Sequence, residues 1–315
     1  MPELPEVETT ARSLRARLIG LRAQCVGGVD WPRMLPQTTE DEVRALLVGL
    51  CVTVVDRRGK YLLIGFEDDR WLGLHRKMSG NVLLRPSDAA HEAHTHFELG
   101  FDDGTLLRFV DVRKFGRVYL FHSSADRDIF IAERLGPEPL TELDAPSLRR
   151  MLQGRRGRLK SLLLDQAFLA GVGNLYADEA LWVARLHPLR TADSLSAREI
   201  GRLATAIKEV LTLGIERRGT SCSNYRDADD TPGDNQHHLN VYGRESQPCP
   251  RCGRPIRRIL IGARSAHFCA SCQRSPSPPP SPVRGARELR VEPRPSGERP
   301  RGARGRGAVQ AASNF

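Results

Sequence analysis

Four cysteines towards the carboxyl end of the sequence have the spacing of a metal site. Cys249 and Cys252 form one Cys-x-x-Cys pair, and Cys269 and Cys272 form a second pair after sixteen intervening residues. Two such pairs supply four thiolates to one tetrahedral zinc ion, and the apolar residues between them predict a short β-hairpin. We therefore expect one structural Zn2+ ion held in a zinc ribbon.

The ribbon is also rich in positive charge. Five arginines lie within or beside it: Arg251, Arg254, Arg257, Arg258 and Arg264. Their charge favours contact with phosphate groups. The simpler alternative is a ribbon that only stabilises a small module.

The amino end is the second candidate for chemistry. If Met1 is removed, Pro2 carries a free secondary amine, and an α-amino group has a pKa well below that of lysine. An unprotonated amine can attack C1′ of a sugar and form an iminium, which is an electron sink for elimination. Glu3 can then act as a general acid or base. The competing interpretation is an ordinary helix N-terminus, where Glu3, Glu6 and Glu8 face the positive end of the helix dipole.

Three turns have compositions typical of nucleic-acid contacts. The glycine-rich turn at 170–174 precedes a predicted helix, and backbone N–H groups at a helix start bind anions. In the turn at 111–116, Arg113 lies close to Phe115, a pairing that suits insertion into a base stack. The turn at 75–80 is similarly apolar and basic. The structural alternatives are a plain helix–helix turn for the first and a core phenylalanine with solvated charges for the second.

The other histidines and cysteines that stand out carry weaker signals. His94 and His96 alternate along a predicted strand edge, where they can contact phosphate or bind a metal, although exposure to solvent is the default expectation. The remaining cysteines lack comparable partners. Cys25 and Cys51 are expected in the core, and Cys222 is expected as an exposed thiol.

Composition narrows the class of protein. The chain has 315 residues, a net charge of +10 and 40% hydrophobic residues. These values fit two domains with a small appendage and favour a polyanionic partner. No apolar stretch is long enough for a transmembrane helix. The acidic amino end lacks the apolar run of a signal peptide, so we expect a cytoplasmic protein without a disulfide framework.

The periodicity predicts an α+β protein that begins with a helix. Val7, Ala11, Leu14 and Leu18 follow a helical period. Residues 22–122 contain short β-type runs separated by turns, which predict a β-sandwich or barrel.

The second half of the chain changes to helical periodicity and ends in a charged tail. After a proline-rich linker near 135–140, residues 145–218 are helical in period and 219–240 form a long polar loop. Residues 275–315 contain eight arginines and three glutamates among Pro, Ser and Gly, a net charge of +5. Such a segment buries too little apolar surface to fold, so we expect a disordered tail. It either tethers nucleic acid or has no role.

An ordered series of motifs over residues 1–274 resembles bacterial formamidopyrimidine-DNA glycosylases, which excise oxidised purines. The motifs are Met1-Pro-Glu-Leu-Pro-Glu-Val-Glu8, Arg58-Gly-Lys-Tyr-Leu62, Met78-Ser-Gly80, Asp111-Val-Arg-Lys-Phe-Gly116, Leu135-Gly-Pro-Glu-Pro-Leu140, Lys160, Leu163-Leu-Asp-Gln166, Gly171-Val-Gly-Asn-Leu-Tyr-Ala-Asp-Glu-Ala180, His187-Pro188, Val241-Tyr-Gly-Arg244 and the four-cysteine ribbon.

The resemblance implies two domains, a zinc finger and a cleft that holds damaged double-stranded DNA. The protein would be a monomer in the bacterial cytosol. The implied boundaries are 1–134 for a catalytic β-sandwich that bears an N-terminal helix, 135–144 for a linker, 145–240 for a helical domain with a helix-two-turn-helix and a lesion loop at 219–240, 241–274 for the zinc finger, and 275–315 for the disordered tail.

The resemblance also implies a role for each motif residue in a glycosylase and abasic-site lyase. Pro2 would form a Schiff base with C1′, and Glu3 would be the acid that assists ring opening and base loss. Lys60 would donate a proton in β-elimination, and Arg264 would serve δ-elimination. The implied DNA contacts are His94, Arg113, Arg155, Asn174 and Lys160, and the implied gap-filling residues are Met78, Arg113 and Phe115.

Three features depart from the family's usual pattern. Arg76 and Lys77 precede Met78, where a less basic pair is commoner, and Arg155 stands where lysine often does. The loop at 220–225, in the region that closes over an everted base, differs from many relatives. This last departure leaves the lesion preference open.

Three other functions compete with purine-lesion excision. An oxidised-pyrimidine glycosylase of the endonuclease VIII type usually begins Pro-Glu-Gly-Pro, whereas this chain reads Pro2-Glu-Leu-Pro5. A non-catalytic lesion-binding protein would be expected to lack Pro2 or Glu3. A zinc-ribbon nucleic-acid binder with an unrelated β domain leaves the amino-terminal Pro-Glu unexplained.

Overall fold

The chain opens with the predicted amphipathic helix. In the computed structural model, which describes residues 2–222 and 224–274, helix α1 spans Leu4–Leu18. Val7, Ala11 and Leu14 are fully buried, as the period predicts. Gly20, with φ of +90°, follows the helix in a conformation that favours glycine.

Two four-stranded antiparallel sheets follow, and their facing side chains form one apolar core together with α1. This confirms the β-sandwich. The strands are β1 (Ala23–Gly27), β2 (Val52–Arg58), β3 (Tyr61–Phe66), β4 (Trp71–His75), β5 (Asn81–Pro86), β6 (Thr95–Phe101), β7 (Thr105–Val110) and β8 (Arg117–Phe121). The strand orders of the two sheets are β1–β6–β7–β5 and β2–β3–β4–β8.

A helix lies within the stretch that was expected to contain only strands. Helix α2 spans Glu40–Leu47. The Thr39 hydroxyl accepts a hydrogen bond from the Glu42 amide, which caps its first turn. Val43 and Leu47, four residues apart, are buried against the sheet core. A single capping residue and a single apolar pair make a helical pattern that is too short to be recognised in a sequence dominated by strands.

The second half of the chain is helical, as expected. The helices are α3 (Ser124–Ala132), α4 (Ala145–Leu152), α5 (Leu159–Leu164), α6 (Asn174–Val183) and α7 (Ala197–Glu216). Helices α4 to α7 share one apolar core, in which α7 contacts α1, α4 and α6. Helix α3 packs separately, through Phe130 and Ile131, against residues of β3 and β8. Leu203, Ile207 and Leu211 on α7 are fully buried.

The expected hairpin lies between the two cysteine pairs. Strands β9 (Arg257–Ile261) and β10 (Arg264–Phe268) pair in antiparallel register. Ile256 and Cys269 pack with Trp182 of α6 in a small core of their own. The tail at 275–315, where we expected disorder, lies outside the described residues. No helix in the described part of the chain is long and apolar enough to cross a membrane.

A buried carboxylate joins the linker to the turn between β2 and β3. Glu138 accepts hydrogen bonds from the Gly59 amide at 3.0 Å and from Arg57 and Arg58 at 2.7 and 2.9 Å. Gly59 has φ of +55° and leaves little room for a Cβ against Leu135. Because Lys60 follows Gly59, this cluster fixes where the Lys60 side chain starts.

Candidate active site

The structure brings seven of the eleven predicted catalytic and DNA-contact residues to one cavity of about 650 Å³. The amino end, the β-sandwich, helix α6 and the ribbon hairpin all contribute to its wall. The predicted residues that line it are Pro2, Glu3, Lys60, Met78, Arg113, Asn174 and Arg264.

Glu3 occupies the anion site that the glycine-rich turn predicts. Its carboxylate accepts hydrogen bonds from the amides of Gly173 at 2.8 Å, Leu175 at 2.9 Å and Tyr176 at 3.3 Å. A Cβ on Gly173 would lie 2.4 Å from the Glu3 carboxyl carbon, so the close approach requires glycine. The anion at the start of α6 is therefore a side chain of this protein, which places the neighbouring Pro2 in the cavity.

Glu6 belongs to the site, although the sequence suggested only a dipole partner. It accepts hydrogen bonds from the Glu3 amide, the Tyr176 hydroxyl and the Thr220 amide, at 2.8, 2.8 and 2.7 Å. Burial, with the charge of Glu3 adding to it, raises the pKa of Glu6 to about 7. Glu6 thus connects the amino end to α6 and to the start of the 219–240 loop.

Lys60 enters the same cavity from the turn after β2. It is only 5% exposed. Burial lowers the pKa of Lys60, and the nearby carboxylates of Glu3 and Glu6 only partly offset this effect. A lysine in this environment gives up its proton more readily than one in water.

Arg264 is the exposed first residue of β10. The strand behind it is fixed to α6, because Asp178 accepts a hydrogen bond from the His267 amide at 2.9 Å. Lys160 donates to Asp178 at 2.5 Å and to the Ser265 carbonyl at 2.6 Å.

The expectation that Lys160 contacts DNA is wrong. Its side chain has no exposed surface and forms a fully buried ion pair with Asp178. A buried ammonium that is already satisfied by a carboxylate and a carbonyl has no path to a phosphate. Lys160 instead holds the ribbon hairpin against the helical core.

The turn at 111–116 presents its predicted side chains to solvent. Phe115 is 43% exposed, and the Arg113 guanidinium lies 4.7 Å from the centre of its ring. The Asp111 carboxylate fixes the turn by accepting hydrogen bonds from the amides of Phe115 and Gly116 at 2.8 and 2.7 Å. Phe115 is therefore not a core residue. Met78, 39% exposed, faces the same cavity as Arg113.

The two histidines that alternate along the predicted strand edge differ in their exposure to solvent. His94 is exposed. His96 is buried, with its ring 2.7 Å from Asp30 and 3.1 Å from the Asp111 carbonyl, so the default expectation of solvent exposure is wrong for this residue. Arg155 is exposed beside Phe168, away from the cavity wall.

The isolated cysteines also differ from expectation. Cys25 is exposed and Cys51 is half-buried, so neither is a full core residue. A bulge in β1 between Ala23 and Cys25 shifts the register and breaks the simple alternation of faces. Cys222 is exposed, as expected, and lines the cavity.

The four ribbon cysteines fit a zinc ion. Their sulfur atoms all lie within 4.8 Å of one another, and the sulfurs of Cys252 and Cys269 are 3.5 Å apart. A tetrahedral site with Zn–S distances of about 2.3 Å places its sulfurs roughly 3.8 Å apart. Cys249, Cys252, Cys269 and Cys272 hold one structural zinc ion, which stabilises the hairpin that presents Arg264.

Comparison with known protein families finds a match for each of three segments of the chain. Residues 1–118 match the formamidopyrimidine-DNA glycosylase N-terminal domain, and residues 135–226 match the H2TH domain of the same enzyme. Residues 246–274 match the zinc finger found in FPG and IleRS.

Curated relatives and solved structures agree with this assignment. The chain is 45% identical to a formamidopyrimidine-DNA glycosylase of Herpetosiphon aurantiacus, over 87% of this chain and 100% of the relative. It is similar to a Lactococcus lactis FPG mutant in complex with Fapy-dG-containing DNA, with a TM-score of 0.81 and 36% identity over 87% and 100% of the two chains. A MutM (FPG) structure from Thermus thermophilus gives a TM-score of 0.77 and 43% identity over 86% and 98%.

Zinc binding gives the first prediction. Cys272→Ser should release the zinc ion and lower DNA affinity, because the hairpin loses its metal crosslink. Metal analysis by mass spectrometry and DNA titration check this. Cys25→Ser, which changes an exposed thiol outside the ribbon, should keep both properties. Wild-type protein without zinc would contradict the ribbon assignment.

Glu6 gives a pH prediction. Its raised pKa means that the folded protein binds a proton more tightly than the unfolded chain. The resulting stabilisation is complete below the unfolded pKa of 4.5 and is lost as the pH rises towards about 7. Urea unfolding from pH 4.5 to 7.5 should show wild type losing about 3 kcal/mol relative to Glu6→Gln. The surface variant Glu133→Gln should keep the wild-type dependence, and parallel curves for wild type and Glu6→Gln would refute the assignment.

Proposed function

The chain belongs to the formamidopyrimidine-DNA glycosylase family, and on that premise we propose how its cavity works. The protein is a DNA glycosylase and abasic-site lyase of base excision repair that acts on oxidised purines. The observation that carries the proposal is the Glu3 carboxylate, held at the start of α6 beside Pro2 in the cavity wall.

The first step is exposure of the damaged nucleotide. An amine cannot reach C1′ inside a stacked duplex, so the nucleotide must be everted. Met78, Arg113 and Phe115 fill the gap, which suits side chains that are exposed before DNA binds. His94, Arg155 and Asn174 contact the phosphate backbone and hold its bend.

The chemical step joins Pro2 to the sugar. The Pro2 nitrogen attacks C1′, and the base leaves with the electron pair of its bond to C1′ and takes up a proton from water. The amine gives up its N–H proton to the Glu3 carboxylate, and Glu3 passes this proton to the ring oxygen as the bond from C1′ to that oxygen breaks. The product is an iminium between Pro2 and the open sugar. Glu3 suits this role because its backbone partners fix the carboxyl next to the amine.

Elimination then cleaves the DNA strand on both sides of the open sugar. The iminium draws the electron pair of a C2′–H bond as that proton leaves to water, and the 3′ phosphate then departs with the electrons of the C3′–O bond, with Lys60 donating a proton to it. Arg264 assists the second elimination, which breaks the C5′–O bond. Both cations line the same cavity as Glu3, where they can meet the leaving phosphates. The zinc ion supplies structure to the hairpin and takes no part in these steps.

The proposed cellular location and oligomeric state of the protein follow from its substrate. We place it in the bacterial cytosol with the nucleoid and propose that it acts as a monomer on damaged double-stranded DNA. The domain boundaries given above, including the lesion loop at 219–240, are part of this proposal. The net charge of +10 supports binding to a polyanion and a steep dependence of affinity on salt.

Borohydride trapping tests the proposed function. A duplex that carries 8-oxoguanine opposite cytosine should give a covalent adduct, and mass mapping should locate it on Pro2 as the first residue. Pro2→Gly should trap at least about tenfold more slowly, because glycine supplies a different amine in a less fixed position. Pro36→Gly, in an exposed turn, should trap at the wild-type rate.

The same assay distinguishes the alternatives. An adduct that forms only with an oxidised-pyrimidine duplex would support the endonuclease VIII-like activity. Tight binding without any adduct would support a non-catalytic lesion-binding protein. Undiminished trapping by Pro2→Gly would refute Pro2 as the nucleophile.

A further inference from the structure

Arg76 is among the largest fully buried side chains of the protein, with 1% of its surface exposed. It follows β4 directly. Its guanidinium donates hydrogen bonds to neutral oxygens: the Gly80 carbonyl at 2.7 Å, the Thr10 hydroxyl at 2.8 Å, the Arg226 carbonyl at 3.1 Å and the Asn81 side chain. A buried guanidinium is costly unless it is fully hydrogen-bonded, so its position depends on all of these partners.

Two of the contacts of Arg76 fix the turn that presents Met78. The Arg76 carbonyl accepts from the Gly80 amide at 3.0 Å, and its side chain donates back to the Gly80 carbonyl at 2.7 Å. A Cβ on Gly80 would lie 2.4 Å from the Phe109 ring, so this turn is packed tightly. Arg76 thus closes the base of the turn, and Met78 projects from its tip into the cavity wall.

Other contacts of Arg76 and its neighbour fix the loop across the cavity. The Arg76 guanidinium lies 4.9 Å from the centre of the Tyr225 ring and donates to the Arg226 carbonyl. Asn81 donates to the Asn224 carbonyl at 2.7 Å and accepts from the Arg226 amide at 3.3 Å. Residues 224–226, two of which line the cavity, are therefore attached to the β-sandwich through Arg76 and Asn81.

The same buried charge therefore serves both sides of the cavity. If residues 224–226 moved away, Arg76 would lose a backbone acceptor and an aromatic ring, and its remaining bonds lead to the Met78 turn, to α1 and to Asn81 at the start of β5. Conversely, a shift of the Met78 turn would displace the guanidinium on which the loop rests. A large displacement of either segment therefore breaks contacts that stabilise the other segment.

We propose that Arg76 is a positioning residue that couples the Met78 turn to the segment 224–226, so that filling of the gap and closure over the everted base occur as one event. The proposal rests on the proposed function in taking Met78 as a gap-filling residue. Arg76 touches neither the sugar nor the leaving base. Its effect is on excision of a bound base, and it leaves the chemistry at an empty abasic sugar unchanged.

Hydrogen exchange of the DNA-free protein tests the coupling independently of activity. In Arg76→Met, amides of residues 224–227 should exchange at least about tenfold faster than in wild type, because the loop loses its buried anchor. The control Arg127→Met removes another arginine stacked on an aromatic ring, that of Trp71, outside the cavity wall. It should leave exchange at 224–227 unchanged. Wild-type protection in Arg76→Met would overturn the proposal.

Two substrates in one duplex sequence supply the functional test. On 8-oxoguanine DNA, single-turnover base excision by Arg76→Met should fall at least about tenfold. On the same duplex with a preformed abasic site, strand cleavage should stay within about threefold of wild type, because no base has to be enclosed. Equal loss on both substrates, or no loss on either, would overturn the coupling. A wild type inactive on abasic DNA would instead refute the proposed function, with the exchange test still decisive.

Asn81→Ala provides a second route if Arg76→Met does not fold. It removes the partly exposed side chain that holds Asn224 and Arg226, and it keeps the Arg76 side chain but takes away one of its acceptors. A circular dichroism spectrum and a melting temperature at the wild-type level would report an intact fold. The variant should show faster exchange at 224–227 and the same selective loss of base excision, and the absence of both effects would count against the proposal.

Discussion

The carboxylate of Glu3 at the start of helix α6 is the contact on which the rest of the site depends. It joins the first residues of the chain to a helix that begins about 170 positions later, through three backbone N–H groups. The Leu4 amide adds a bond to the Gly171 carbonyl at 3.0 Å. These contacts set the amino end against the helical core, and they leave Pro2 in the wall of the cavity. A nucleophile at a chain terminus needs such an anchor, because termini otherwise fray.

Other carboxylates shape the remaining parts of the site in the same manner. Asp111 accepts hydrogen bonds from amides of the Phe115 turn, and Glu138 accepts one from the turn before Lys60. Asp178 accepts one from the strand that begins at Arg264. In each case a carboxylate accepts backbone N–H groups that regular secondary structure leaves unpaired. The catalytic and DNA-facing side chains therefore project mainly from turns and from the ends of helices and strands, and these contacts fix their geometry. This allows the cavity to form before DNA arrives, at little cost in ordering.

Local patterns in the sequence predict most of the elements, with α2 as an exception, but not the partners of those elements. The period of α1 and the cysteine spacing depend on residues close in sequence, so both predictions are confirmed. The turn at 170–174 correctly predicted an anion site, yet its occupant is Glu3, because spacing carries no information about which distant residue arrives. Lys160 matched a motif and was assigned to DNA for the same reason. Only its burial beside Asp178 shows that its role is internal.

The chemistry of the site depends on Glu3, which is fixed beside Pro2 and acts as the acid when the base leaves. The most direct measurement is single-turnover chemistry of Glu3→Gln on 8-oxoguanine DNA and on the same duplex with a preformed abasic site. Glutamine keeps an oxygen for the α6 amides but cannot serve as the acid. We expect base excision to fall at least about hundredfold, while a Pro2 adduct still forms on abasic DNA. Base excision at the wild-type rate would contradict the claim.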